Sequence, residues 1–166
     1  MKIWHLLCAA TLLIAGNASA EEAQFLKSLQ GTWIGGGMVK VRANLMPINV
    51  SCSFNSQATS ADLSMKGTCS GLVLVRRSIG ADIRFKGGKY TGSYVGPSGR
   101  KAGLAGRRSG NAINLTIRWA REVNGDLNAS LMVQKVGSNG MKLVTIDEDP
   151  GSGDRIITSE ISLRRK

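Results

Sequence analysis

Histidine is almost absent from this chain, and cysteine and the aromatic residues are scarce. The one histidine is His5, and the three cysteines are Cys8, Cys52 and Cys69. His5 and Cys8 both lie in an N-terminal segment with the features of a cleaved leader. Without them, a Ser-His-Asp triad, a Cys-His pair and a histidine-ligated zinc site are all excluded, because the base and the soft ligands are missing. We therefore predict a protein that is not an enzyme and that carries no cofactor and no metal.

Residues 1–20 have the order of a secretory signal peptide. Lys2 precedes an apolar run over residues 4–15, and Ala18-Ser19-Ala20 forms a small-residue cleavage site. The run is too short to span a bilayer, and no stop-transfer segment follows it. The sequence predicts a periplasmic or secreted protein made of residues 21–166, with no transmembrane segment in the mature chain.

The chain is strongly basic. Its 22 lysines and arginines face 11 acidic residues, which gives a formal net charge of +11. Export argues against nucleic acid as the partner and favours anionic molecules of the cell envelope. We expect an anionic lipid, a glycolipid, an acidic polysaccharide or an acidic envelope protein. The alternative is that the positive surface only keeps the domain soluble.

Short runs with period-two alternation recur along the chain, separated by Gly, Asn, Ser and Pro, which is typical of β-strands. In residues 112–120, for example, Ile113, Leu115 and Ile117 share one face. The connections are too short for βαβ crossovers. We predict an all-β fold, a single antiparallel up-and-down β-barrel of 8–10 strands over residues 21–166, with a short helical turn at residues 21–30. The predicted strands are 32–43, 48–57, 62–74, 83–86, 89–95, 102–107, 112–120, a run through 129–133, 143–146 and 156–163.

Cys52 and Cys69 are symmetric about the polar stretch 57–62. In a hairpin that turns there, the two cysteines face each other and both sulfurs point inward. An exported protein should form this disulfide, and closing a loop of this length stabilises a fold by roughly 3 kcal/mol.

Gly31-Thr32-Trp33 follows the predicted helical turn and opens the first strand. It resembles the Gly-X-Trp signature of lipocalins and their calycin relatives, and residues 90–94 are similar to a mid-barrel strand of that superfamily. The resemblance implies that Trp33 closes one end of the barrel and that Arg164 or Arg165 stacks on it. The glycine triplet at residues 35–37 and the absence of a long C-terminal helix depart from the lipocalin pattern. The chain is closer to a minimal bacterial calycin-like barrel. A fainter resemblance is to periplasmic inhibitors of secreted metalloproteases, which are also small barrels with one disulfide.

The basic, glycine-rich stretch 99–108 is the candidate binding site. Arginine forks match phosphate and carboxylate oxygens in two-point contacts, and glycine lets such groups approach the backbone. Arg76, Arg77 and Arg121 can extend the same surface. The alternative is an ordinary hairpin with solvated charges that protect a sheet edge. The predicted ligand-binding residues are Arg100, Lys101, Arg107, Arg108 and Arg118.

Two further features have alternative interpretations. The acidic stretch 147–154 has carboxylates at alternate positions, as calcium loops do, but it lacks the EF-hand spacing, so we predict a hairpin loop. The barrel interior can either hold a small apolar ligand or be filled by side chains. The apolar residues predicted to line it are Phe54, Leu72, Leu74, Leu115, Ile117, Leu131, Met132, Leu143 and Ile161.

The leading functional hypothesis is an envelope protein that binds an apolar or amphipathic anionic ligand in or at the mouth of the barrel. The alternative is a ligand-free interaction protein that docks an anionic envelope polymer or protein, for envelope integrity or to inhibit a secreted enzyme. A carboxylate enzyme is the third possibility, but Asp62, Asp82, Glu122 and Asp126 are too scattered to form a pair.

Overall fold

The computed structural model describes residues 15–72 and 75–166 as one helix followed by ten strands. The helix α1 spans Ala15–Ser28. The strands are β1 Gly31–Val39, β2 Ile48–Ala58, β3 Asp62–Gly71, β4 Val75–Lys86, β5 Lys89–Val95, β6 Lys101–Ser109, β7 Ala112–Val123, β8 Asp126–Val136, β9 Gly140–Glu148 and β10 Arg155–Arg165.

Each strand pairs antiparallel with the next one in sequence, and β10 returns to pair with β1. The sheet is therefore a closed up-and-down barrel, which confirms the predicted fold class. Closure leaves the sheet with no full-length free edge among the described strands. No helix within residues 15–72 and 75–166 is long and apolar enough to cross a membrane.

The largest differences between the predicted and the observed element boundaries, each of more than three residues, are in α1, β1 and β4. The helix begins at Ala15 instead of residue 21, while residues 1–14 of the predicted leader lie outside the described residues. β1 ends at Val39, four residues early, because the chain turns away there into the 40–47 loop. β4 begins at Val75, well before residue 83, because its first half pairs with β3 although it lacks alternating apolar residues.

The disulfide hairpin has the predicted register. Cys52 is opposite Cys69 in the β2–β3 pairing, Phe54 is opposite Gly67, and the two sulfurs form a disulfide bond. Both cysteines are about 5% exposed and belong to the hydrophobic core, so the bond points into the barrel as predicted.

The barrel bends tightly where β1 meets β10. Gly35 and Gly37 face inward, and a Cβ on either would lie about 2 Å from a backbone oxygen of β10, at Ser162 and Glu160. A side chain at these positions would force the strands apart, so the glycines permit the close approach. The two glycines therefore bring β1 and β10 close together, so that the wall of the barrel curves inward.

Side chains from all ten strands form the interior. The largest fully buried ones are Trp33 and Tyr90, and Phe54 covers the bare backbone of Gly67. The predicted lining residues Phe54, Leu115, Ile117, Leu131 and Ile161 are buried, and Leu143 packs against them while partly exposed.

The prediction that they line the interior is wrong for two residues, and a third lies outside the described residues. Leu72 is 65% exposed because it lies in the turn after β3 with a positive φ of 48°. Met132 is half-buried on the outer face, because Leu131 and Val133 beside it point inward. Leu74 lies outside the described residues.

Candidate ligand-binding end of the barrel

The two ends of the barrel are different. At one end α1 leads into β1 and covers the interior, with Leu26 and Leu29 fully buried. The turns between odd and even strands (40–47, the turn that begins at Leu72, 96–100, 124–125 and 149–154) all lie at the opposite end. We call these the helix end and the open end.

Trp33 and Arg165 close the helix end. The indole N–H of Trp33 donates a hydrogen bond to the carbonyl of Leu29 at 3.0 Å. The guanidinium of Arg165 lies 4.4 Å from the Trp33 ring centroid and donates to the carbonyl of Ser28 at 2.9 Å. Arg164 points outward and is exposed, so Arg165 is the arginine that stacks on the ring.

Lys135 approaches the same ring, with its ammonium 5.7 Å from the Trp33 centroid. Burial lowers the pKa of Lys135, and the nearby charge of Arg165 lowers it further. Two cations therefore lie close to one aromatic ring, and the ammonium of Lys135 also donates to the carbonyls of Gly137 and Ser138 at 2.6 Å.

Arg108 binds the middle of α1 to the barrel. Its guanidinium donates to Glu22 at 2.9 Å and to Glu21 at 2.6 Å, and it lies 4.9 Å from the ring of Phe25. The Glu22 side chain is almost fully buried and also accepts a hydrogen bond from the hydroxyl of Tyr90. Burial raises the pKa of Tyr90, and the bond to Glu22 raises it further, so this phenol stays protonated.

Apolar and basic side chains are mixed at the open end. Eight of its apolar residues are exposed by more than a third: Val41, Leu45, Met46, Leu72, Val75, Val123, Leu127 and Ile157. The basic residues of the first three turns and their flanks are Lys40, Arg42, Arg76, Arg77, Arg100 and Lys101. A surface that combines these two classes fits a molecule with an apolar part and an anionic part.

Acidic residues lie in and beside the 124–125 and 149–154 turns, and the 40–47 loop is tied to this side of the open end. Asn124 has a positive φ of 54°, and its side chain joins two partners. Its amide oxygen accepts a hydrogen bond from the backbone N–H of Ala43 at 3.2 Å, and its amide nitrogen donates to Asp147 at 2.7 Å. Ala43 and Asp147 are both buried, so Asn124 ties the 40–47 loop across this side of the mouth.

A notch interrupts the wall of the barrel at the open end. Pairing of β4 with β5 begins at Gly80 opposite Val95, and pairing of β6 with β7 begins at Gly103 opposite Arg118. Residues 75–79 of β4 and 119–123 of β7 therefore extend beyond the short β5–β6 hairpin. Five residues of extended chain span about 16 Å, so the notch is deep compared with the spacing between strands.

Two aromatic side chains lie at the base of the notch on the inner face. The rings of Tyr94 and Trp119 meet edge to face, with centroids 5.9 Å apart. The indole nitrogen of Trp119 is buried and has no hydrogen-bond partner among the described residues. Burial raises the pKa of Tyr94 to about 12, so its hydroxyl is a neutral donor at physiological pH.

A groove of about 630 Å³ runs down the outer face of strands β2–β5 from the edge of the notch. Its walls are mainly short polar side chains, together with Lys66 and Asp82. Ser64 donates to the Asp82 carboxylate at 2.6 Å, so that carboxylate already has a partner.

No protein-family model matches this chain, and no curated protein is significantly similar to it. In the part of the chain from residue 15 to 72 and from 75 to 166, no group of three or more Asp, Glu, His or Cys side chains is arranged to hold a metal ion.

The structure separates the five predicted ligand-binding residues. Arg100, Lys101 and Arg118 lie around the base of the notch. Arg107 and Arg108 lie at the helix end of β6, about 23 Å of strand from Arg100. Arg107 is exposed there, whereas Arg108 is engaged by Glu21 and Glu22.

Sequence reasoning missed the exposed apolar side chains of the 40–47 loop and the tie made by Asn124. The predicted first strand ran to residue 43, so Val41 was placed in that strand, and Leu45 and Met46 were assigned to no element. Asn124 reaches Ala43 only because the fold brings the β7–β8 turn next to this loop.

Proposed function

We propose that this chain is an exported, non-enzymatic protein of the cell envelope that binds an anionic amphipathic ligand, a lipid or a glycolipid, at the open end of its barrel. One observation carries the proposal: exposed Val41, Leu45 and Met46 lie at the same end as the arginines of β4 and the β5–β6 turn. The predicted signal peptide and the resemblance to calycin-like barrels agree with an exported carrier.

The ligand would occupy the mouth instead of the deep interior. Trp33, Phe54 and Tyr90 fill the half of the barrel next to the helix. The apolar part of the ligand would contact the 40–47 loop and the aromatic pair Tyr94–Trp119. Arginine forks on either side of the notch would bind the phosphate or carboxylate of its head group.

The indole nitrogen of Trp119, which has no hydrogen-bond partner within residues 15–72 and 75–166, supports this placement. A buried N–H without an acceptor carries a desolvation cost, which a ligand oxygen at the base of the notch would remove. The neutral hydroxyl of Tyr94 could donate to the same head group.

Lipid extraction and native mass spectrometry of the purified protein, with fluorescent fatty-acid binding, test the proposal. Arg76→Ala/Arg77→Ala should weaken binding about tenfold or more, because two cationic contacts to the head group are lost. The matched control is Arg107→Ala/Arg164→Ala, which removes two exposed arginines at the helix end.

The apolar contribution has its own pair of variants. Met46→Ser should weaken fatty-acid binding, whereas Val136→Ser should not, because Val136 is an exposed apolar residue at the helix end. Binding that disappears at high salt for many unrelated anions would contradict the proposal and favour the alternative of a protein that docks an anionic envelope polymer.

A further inference from the structure

The extension of β4 beyond the β5–β6 hairpin leaves residues 75–79 without a partner strand on the notch side among the described residues. Residues 75–79 pair with β3 on one side, but β5 ends at Val95, opposite Gly80. Among the described residues, no backbone hydrogen bond joins 75–79 to the 96–100 turn. That turn instead folds back on itself, with the N–H of Gly99 donating to the carbonyl of Gly96 at 2.9 Å.

The pairing pattern identifies which backbone groups are free. The N–H of Phe85 donates to the carbonyl of Ala61, on the β3 side of β4. In an antiparallel strand the N–H and C=O of one residue point to the same neighbour and alternate along the chain. The register has no shift between residues 75 and 86, so Arg76 and Ser78 direct their backbone groups away from β3, to the open side.

The open edge is exposed and basic. Residues 75–78 are all exposed. The guanidinium of Arg77 donates to the carbonyl of Arg76 at 3.3 Å, which is a long, solvent-exposed hydrogen bond. Arg100 and Lys101 lie at the base of the notch, next to this edge. An extended chain placed here would meet free donors and acceptors flanked by positive charge.

We propose that the β4 edge at Arg76–Ser78 binds an extended acidic segment of another protein by strand addition. Backbone hydrogen bonds to Arg76 and Ser78 hold the segment, and carboxylates on alternate residues, which share one face of the segment, reach Arg76 and the basic residues of the β5–β6 turn. This inference goes beyond the proposed function, because a lipid needs no backbone pairing.

A second copy of this chain fits the edge poorly. Two β4 edges pairing antiparallel around Arg77 would place like charges directly opposite each other, which is destabilising. Charged side chains on a strand edge oppose such self-pairing, whereas an acidic partner is attracted by them. The positive charge of the edge therefore favours an acidic partner.

The experiment measures binding of a short fluorescent peptide that alternates valine and glutamate, by anisotropy with the full-length protein. A second peptide of the same sequence carries N-methyl groups on alternate backbone amides, so that it keeps its charge but cannot pair. The variants are Ser78→Pro, which removes the Ser78 N–H, and Ser78→Thr, which keeps it. Proline is tolerated on strand edges, so the barrel should persist.

We expect saturable binding of the unmodified peptide and a loss of tenfold or more on methylation. Ser78→Pro should weaken binding about fivefold to tenfold, as loss of one hydrogen bond predicts, while Ser78→Thr stays within about twofold. Ser78→Pro should leave fatty-acid binding unchanged, which separates this inference from the proposed function.

Three results would overturn the inference. Equal binding of the two peptides would show that charge attraction alone is responsible. Equal binding by Ser78→Pro and the parent protein would show that the edge is not used. Concentration-dependent dimerisation that Ser78→Pro abolishes would make a second copy the occupant. If Ser78→Pro does not fold, the inference is tested by comparing the binding of the unmodified and the methylated peptide to the parent protein.

Discussion

The guanidinium of Arg165, at the end of the last strand, lies 4.4 Å from the ring centroid of Trp33, near the start of the first strand. The same guanidinium donates hydrogen bonds to the carbonyls of Ser28 and Gln30, where the helix ends. One side chain therefore joins the helix, the first strand and the last strand. It closes the barrel where β1 and β10 meet, and it supplies donors to helix carbonyls that lack partners within the helix.

Arg165→Ala should lower the free energy of unfolding by about 2–3 kcal/mol, because a cation–π contact and two hydrogen bonds are lost. Urea unfolding measures this effect. The control is Arg164→Ala, one residue away and exposed, which should change stability by less than about 0.5 kcal/mol. Equal losses in the two variants would contradict a closing role for Arg165.

Arg108→Ala should be destabilising by about 3 kcal/mol, because it leaves the buried carboxylate of Glu22 without its cation. Arg107→Ala should be nearly neutral, because Arg107 is exposed on the outer face. Thermal unfolding of the two variants tests this difference between neighbours. If Arg107→Ala proved the more damaging, the ion pairs at the helix end would not be what holds the helix.

Asn124→Gly should release the 40–47 loop while keeping the positive φ that glycine adopts readily. Amide hydrogen exchange at Ala43 should become faster, by an amount equivalent to about 1–2 kcal/mol for the lost hydrogen bonds. Asn124→Asp should be more destabilising at neutral pH, since it places a carboxylate next to Asp147, now 2.7 Å from the amide. Unchanged exchange at Ala43 in both variants would show that the loop is held by other contacts.

Stability should fall in alkaline solution. Burial raises the pKa of Tyr94 to about 12, from an ordinary value near 10, and the pKa of Tyr90 is raised as well. The folded protein keeps protons that the unfolded chain releases as the pH rises through 10, so the free energy of unfolding decreases between pH 10 and about pH 12. Tyr94→Phe should make this decrease smaller.

The chain has two tyrosines, so their ionisation can be followed by ultraviolet absorbance. Both should ionise well above pH 10 in the folded protein and near pH 10 in urea. Normal ionisation of both tyrosines in the folded state would contradict the burial of their hydroxyl groups.

The sequence predicted the fold best in strands where apolar residues on one face alternate with polar residues on the other. β5 was predicted with its observed bounds, and the register of the Cys52–Cys69 hairpin followed from symmetry about its turn. The first eight residues of β4 were missed, because 75–78 lacks an alternation of apolar and polar side chains and 75–79 pairs with β3 alone. The alternation of residues within a segment cannot predict such a strand, because its extended conformation is stabilised by pairing with the neighbouring strand.

The sequence predicted less of the candidate site, because it did not show which basic residues lie close together. Arg107 and Arg108 are neighbours in sequence, yet one is exposed on the outer face and the other is directed to Glu22, because alternate residues of a strand point to opposite faces. Arg100 and Arg107 lie in one basic stretch, yet an extended strand separates them by most of the barrel's length.

The sequence by itself determined the β class, the disulfide pairing and the basic charge, because alternation, symmetric cysteine spacing and composition are local or additive properties. The tertiary structure decided which arginine stacks on Trp33, which basic residues share an end of the barrel, and where the wall is left open at β4. These depend on how strands of unequal length align around a closed sheet, and the alignment is set by packing between residues that are distant in sequence.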